Sequence, residues 1–200
     1  MHCFLDSLTE EVKQLSVGLP WEEAVQITPI DPSQKTYLEQ LIQDAKDKGA
    51  SVFLSGRESE SDRGSLLSPV ILFPITEEMR LWREEQFGPV LAVTSYQELA
   101  QVYSYVTDSS SGLQCSLFSA DVEEVEEMSR VLVNAVGRVN VNLQSGRSPD
   151  EWPFTGRKSS ANGILSTSEA LRSFTLPIVL ASKEEHFPKE AMEGLLEEWV

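Results

Sequence analysis

Apolar residues recur at intervals of three and four in two long windows of this chain and gather into short continuous runs between them. After Asp31-Pro32, the residues Tyr37, Leu38, Leu41, Ile42 and Ala45 share one face of a 3.6-residue period. Asp31 suits an N-cap, Pro32 a first helical position and Gly49 a stop, so a helix is predicted between them. Val122, Val125, Met128 and Leu132 form a second stripe behind a capping Asp121. Further helices are predicted from Phe4 to Leu15, from Glu77 to Glu84 and from Gln97 to Val106. The apolar runs SVFLS, PVILF, VLAVTSY and LQCSLFS, with VNVN ending at Asn142, read as strands. The polar stretch GRESESDRGS, Gly56 to Ser65, reads as an exposed loop. Strands separated by helices of this length predict parallel pairing through right-handed crossovers, hence an α/β fold with a doubly wound, mostly parallel sheet.

Charge and composition narrow the classes of partner. The formal charge of -16 argues against nucleic acid or an anionic membrane surface, because phosphates select for Lys and Arg clusters and none is present. Met1 is followed by HCFLDSLTEE, without a basic or an apolar leader region, and no window approaches 18 uninterrupted apolar residues. With two cysteines far apart in sequence, a disulfide framework is not expected, and the reading is a soluble, cytoplasmic protein. Glu123, Glu124, Glu126 and Glu127 suit the dipole at the start of their helix, and no metal site is assigned. No two glycines are separated by one residue, so a G-x-G-x-x-G dinucleotide turn cannot be built from these residues.

The candidate site loop is EEQFGPV, Glu84 to Val90. It joins a carboxylate to a Phe-Gly-Pro turn entering a strand. Gly88 permits close backbone approach or positive φ, Pro89 fixes φ, and Phe87 offers a flat apolar face beside Glu85. An ordinary helix-to-strand turn is the plain alternative.

EEQFGPV resembles the E-x-F-G-P-V motif of the aldehyde dehydrogenase superfamily, and similar motifs follow in order. VGLPWEEAVQITPIDP looks like the family's G-x-P and I-T-P segments. EEMRLWREEQFGPV is similar to D-M-R-x-x-x-E-E-x-F-G-P-V, GLQCSLFSAD to G-L-x-x-x-I-F-T, and GRVNVN to G-T-V-x-I-N. SGRSPDEWPFTGRKSSANG resembles R-G-x-D-x-F-P-F-x-G-x-K-x-S-G-x-G. The I-T-P, Met79-Arg80 and Arg147 to Phe154 matches are most like the non-phosphorylating, NADP-dependent glyceraldehyde-3-phosphate dehydrogenase branch.

The resemblance implies an incomplete catalytic domain over 1–170, the strand of an oligomerisation arm over 171–182 and an acidic tail over 183–200. It implies that Glu85 accepts hydrogen bonds from the hydroxyls of the nicotinamide ribose of NADP or NAD and that Phe87 packs beside the nicotinamide end. Arg147 would help hold the substrate phosphate, with a surface ion pair to Asp150 or Glu151 as the alternative. Phe154 would line the aldehyde tunnel, and Asn142 would fix a loop. The family's nucleophilic cysteine lies upstream of the first helix; Cys3 falls after that position, and Cys115, in LQCSLF, reads as a small buried residue. No catalytic residue is therefore assigned. The expectation is a C-terminal fragment of an NAD(P)-dependent aldehyde dehydrogenase, inactive alone, forming a homo-oligomer or partnering a full-length subunit. A catalytically inactive short homologue with an oligomerisation or regulatory role is the alternative. Ala161 and Ser166 stand where the branch has glycines, and the tryptophan of Leu81-Trp82-Arg83 is displaced by one.

Overall fold

The computed structural model describes residues 2–55 and 64–179, together with 181, 183, 190, 193 and 194. The chain divides into two compact units, Met1–Ser110 and Ser111–Val200.

In the first unit, helix α1 spans His2–Lys13 and α2 spans Pro32–Asp47. Strands β1 (Ser51–Ser55), β2 (Val70–Phe73) and β3 (Val90–Ala92) form one sheet in the order β1-β2-β3. The start of α2 follows the predicted logic: Asp31 accepts from the Ser33 amide at 2.8 Å and Pro32 opens the helix. The Ser33 hydroxyl first, and its amide second, hold the Asp31 carboxyl below its usual pKa.

Alternation along β2 sends its side chains to both faces of the sheet. Val70 and Leu72 pack with Leu38, Leu41 and Ala45 of α2, while Ile71 packs with Leu5 and Val12 of α1, beside Phe53 and Phe73. Both faces of this short sheet are thus covered, which is why β2 reads as an unbroken apolar run rather than an alternating one.

The sheet departs from the expected parallel order at one edge. β2 and β3 are parallel, but β1 and β2 are antiparallel, with Ser51 opposite Phe73 and Ser55 opposite Val70. An antiparallel neighbour needs only a reversing connection, and the stretch between these strands carries no helical periodicity to supply a crossover. The predicted exposed loop lies, over 56–63, outside the described residues.

Two further expectations are revised. The helix expected from Glu77 to Glu84 is a single 3-10 turn, Arg80–Trp82. The Arg80 amide donates to Asp44 Oδ2 at 2.8 Å, so the N-terminal end of that turn is tied to α2 instead of joining a helical ladder. The strand expected over VLAVTSY is confined to β3, since Pro74 ends β2 and removes a donor. Helix α3, Leu99–Asp108, opens with a capping box between Glu98 and Gln101.

The second unit contains β4 (Ser111–Gly112), β5 (Gln114–Leu117), α4 (Val122–Ala135), β6 (Arg138–Val141), β7 (Phe154–Thr155), β8 (Arg157–Lys158), β9 (Ile164–Leu165) and α5 (Thr167–Arg172). Its ladders are short pairs: parallel β5-β6, with α4 as the crossover, and antiparallel β4-β8 and β7-β9. One continuous mostly parallel sheet is therefore not what the described residues form. Asp121 caps α4 through Glu123 N and Glu124 N, as its sequence predicts. Met128, Leu132 and Ala135 are buried, whereas Val122 at the first turn is 69% exposed.

Gly137 sets the spacing before β6. A Cβ there would run into the Thr155 carbonyl, so β6 and the β7 region approach closer than any other residue permits. Ser166 fits without strain: its backbone is extended, and its Oγ accepts from Glu169 N at 3.1 Å as the cap of α5. Ala161 is likewise absent from the positive-φ positions.

The expected arm strand would pair with a second subunit; within this chain the described part of 171–182 pairs with no strand. Phe174, Leu176, Ile178 and Val179 stand between 78% and 90% exposed. Most of 183–200 lies outside the described residues. No helix among the described residues is long and apolar enough to cross a membrane.

Candidate functional site

The loop EEQFGPV leaves the 3-10 turn and enters β3 under the control of α2. Gln34 Nε2 donates to Phe87 O at 3.2 Å, and Tyr37 Oη donates to Glu84 Oε2 at 2.9 Å. Farther along α2, Asp44 accepts from Arg80 N, and Lys48 Nζ donates to Glu78 O at 2.6 Å. Gln34, Tyr37, Asp44 and Lys48 recur at helical spacing, so a single face of one helix holds the segment from Glu78 to Phe87. Gly88 completes this seat. A Cβ on it would overlap Leu38 Cδ1, and Leu38 is fully buried. Close approach, not positive φ, is the reason for this glycine.

The adjacent carboxylates Glu84 and Glu85 have different fates. Arg80 grips Glu84 with a fork, Nε to Oε1 and Nη2 to Oε2, each at 2.7 Å. The Arg80 hydrogen bonds, supported by the Tyr37 hydroxyl, hold the Glu84 carboxyl below its usual pKa despite partial burial. Desolvation first, and the bond to Glu84 second, push the Tyr37 phenol up. Asp44 is lowered, chiefly by the Arg80 amide and then by Lys48, whose Nζ lies 2.7 Å from it.

Glu85, in contrast, is exposed and has no hydrogen bond or ion pair among the described residues. An ionised carboxylate offers only acceptors, so it is suited to paired hydroxyl groups. Phe87 is 71% exposed beside it. Together they present an exposed acceptor and an apolar face on a braced loop. A cavity of about 670 Å³ in the same unit is bordered by Trp82, Arg83, Tyr96 and Tyr105, but by neither Glu85 nor Phe87. The displaced Trp82 meets the edge of Tyr105 at 4.9 Å.

In the second unit Arg147 lies on the loop between β6 and β7. It is exposed, and its Nε stands 3.6 Å from Asp150 Oδ1. The surface ion pair foreseen as the alternative is therefore present, and at half exposure it is a weak one. Phe154 is part-buried on β7, opposite Leu165. Asn142 has φ of 50° and clasps Ser119 twice, its Oδ1 accepting from Ser119 N at 3.0 Å and its Nδ2 donating to Ser119 O at 2.9 Å. That double bond to one residue matches a loop-fixing role. Cys115 is only partly buried, and desolvation raises its thiol pKa, which disfavours a nucleophilic thiolate. Cys3 is exposed on α1.

Sequence reasoning did not find Gln34 or Tyr37 as supporting residues. Arg80 and Glu84 were legible in principle, being four apart. The others act across long stretches of sequence that no local pattern encodes.

One helix on each face of a short sheet, with a braced E-E-x-F-G-P-V loop entering its edge strand, defines an α/β unit. The profile of the aldehyde dehydrogenase family matches residues 1–177, and the chain belongs to this family. It is 32% identical over 173 residues to a 3-sulfolactaldehyde dehydrogenase of Priestia aryabhattai, covering 86% of this chain and 35% of that protein. It is 34% identical over 180 residues to an NADP-dependent glyceraldehyde-3-phosphate dehydrogenase of Streptococcus equinus, covering 88% and 36%. The crystal structure of NADP-dependent glyceraldehyde-3-phosphate dehydrogenase from Bacillus halodurans C-125, complexed with NADP, superposes with a TM-score of 0.79 at 34% identity, covering 88% of this chain and 36% of that one. The chain thus spans about a third of the length of the curated relatives it matches.

Proposed function

We propose that these residues form part of the catalytic domain of an NAD(P)-dependent aldehyde dehydrogenase, with the nucleophilic thiol and the dinucleotide-binding fold supplied by sequence outside them. The observation that carries this reading is the division of labour in EEQFGPV: Glu84 is fully engaged, and Glu85 is held exposed with no partner among the described residues. The nicotinamide, when bound, supplies hydride acceptance. The chain's own residues bind and orient: Glu85 accepts from the ribose hydroxyls, and Phe87 covers one side of the ring. Such contacts act by restricting the reacting groups to productive geometry, where small misplacements are costly.

The substrate class we propose is a short aldehyde with a terminal anionic group, glyceraldehyde 3-phosphate being the first choice. The names of two relatives support it, since 3-sulfolactaldehyde and glyceraldehyde 3-phosphate are both three-carbon aldehydes bearing an oxyanion. Arg147, with only a loose contact to Asp150, is the group we assign to that anion, and Phe154 to the wall of the aldehyde passage. The exposed apolar run Phe174 to Val179 is assigned to subunit association in a homo-oligomer or with a full-length subunit.

The test is titration of the isotopically labelled chain with nicotinamide riboside, which lacks a phosphate. Shifts are expected at Glu85 and Phe87 in the wild type and should be lost in Glu85→Gln. Equal shifts in that variant, or none in the wild type, would overturn the assignment.

A further inference from the structure

The loop bearing Arg147 has no regular ladder of its own between Val141 and Phe154, so side chains must fix its shape. Arg138, on β6, supplies most of that fixing. Its Nη1 donates to Arg147 O and its Nη2 to Ser148 O, each at 3.0 Å, while its Nε donates to Asn140 Oδ1 at 2.8 Å. The carbon of the same guanidinium lies over the Trp152 ring, 6.0 Å from its centre. The fork therefore grips two consecutive carbonyls of the loop while standing over Trp152.

Asn140 is in turn immobilised. It is 3% exposed, and its Nδ2 donates to Cys115 O at 3.0 Å and to Gln114 Oε1 at 3.3 Å. Gln114 Oε1 also accepts from Gly146 N at 3.1 Å, and the Ser116 and Ser145 hydroxyls meet at 3.0 Å. The loop is thus tied from both strands of the parallel pair β5-β6, immediately before and after Arg147. In the motif that GRVNVN resembles, threonine stands at the position of Arg138.

We infer that Arg138 is a positioning residue for Arg147, fixing the backbone from which the Arg147 guanidinium reaches the terminal anion of the substrate. The inference rests on the proposed role of Arg147 and deepens it. Two properties separate this from general packing. Among the described residues Arg138 has no carboxylate partner, and its fork serves the two loop carbonyls and Asn140 Oδ1. A planar fork serving three oxygens cannot be reproduced by lysine, whose ammonium is a single point of donation. Charge and geometry can therefore be separated by Arg138→Lys.

The experiment uses the labelled chain and 3-phosphoglycerate as the anionic probe, with the chemical shifts of the 146–150 amides as the reporter of binding and their relaxation as the measure of loop order. Arg138→Lys is expected to loosen those amides and weaken the probe by about tenfold, the scale of one well-placed hydrogen bond, without moving the melting temperature by more than a few degrees. An ordered loop and unchanged affinity in Arg138→Lys overturn the inference. A loosened loop with unchanged affinity also overturns it, because the role is then structural only. Arg147→Gln separates the two claims. If it leaves the probe response intact, the reading of Arg147 itself falls; if it abolishes the response while Arg138→Lys does not change it, only the inference falls. Should Arg138→Lys not fold, Gln114→Ala releases Gly146 N from the other side of the loop and is judged by the same two readouts.

Discussion

Gly88 sits against Leu38 so closely that no side chain can be added between them. Leu38 is fully buried on α2, which leaves it no open space into which to withdraw. Gly88→Ala is therefore expected to destabilise the first unit by about 1–3 kcal/mol, the usual cost of overpacking. Urea unfolding measures it, and the double variant with Leu38→Ala should cost less than the sum of the single changes, because the cavity left at Leu38 relieves the clash.

Acid sensitivity follows from Glu84 and Asp44. Both have folded pKa values depressed by their hydrogen bonds, Glu84 mainly by Arg80 and Asp44 mainly by the Arg80 amide. Each thus contributes stability that is fully present above the unfolded carboxylate value, roughly pH 4, and lost as pH falls through the lower folded value. Stability measured from neutral pH downward should fall less steeply in Glu84→Gln than in the wild type, with the two curves converging at low pH. Parallel curves would show that this pairing does not couple to folding.

Asn142 combines a left-handed backbone with two hydrogen bonds to Ser119. Asn142→Gly loses the bonds but keeps the conformation, whereas Asn142→Ala loses both. The alanine variant should be less stable than the glycine variant by about 1 kcal/mol, reflecting the left-handed penalty for a residue with a Cβ. Thermal unfolding of the pair resolves this difference.

At the start of α4, Asp121→Ala removes an acceptor shared by Glu123 N and Glu124 N. A loss of about 1 kcal/mol is expected, with Asp121→Asn recovering most of it. Circular dichroism through a thermal ramp is sufficient.

Glu85→Gln should change stability by no more than about 0.5 kcal/mol, because the side chain is exposed and has no partner among the described residues. A substantial loss would mean that Glu85 serves the fold and is not held in reserve for a ligand.

Local chemistry made much of this molecule legible in its sequence. Asp31-Pro32 and Asp121 announced their helices, and SVFLS and PVILF announced β1 and β2, because caps and apolar runs act within a few residues. The segment Glu77 to Glu84 misled because a carboxylate on α2, Asp44, takes the Arg80 amide. β1 was expected to be parallel because alternating helices dominate the chain, although no helical pattern separates it from β2. The motif loop was recognisable, but its bracing by Gln34 and Tyr37 is a tertiary fact. Arg138 escaped notice for the same reason: two of its three acceptors are backbone carbonyls, which have no signature in sequence.

The attachment of the site loop to four side chains along one face of α2 sets a rule for altering it. Tethers at Glu78, Arg80, Glu84 and Phe87 work as a ruler, each graduation matched to a turn of the helix opposite. An exposed side chain between the marks, such as Arg83, is open to replacement in a library seeking new ligand preferences. The number of residues between the marks is not, since one insertion or deletion would put every later tether out of step.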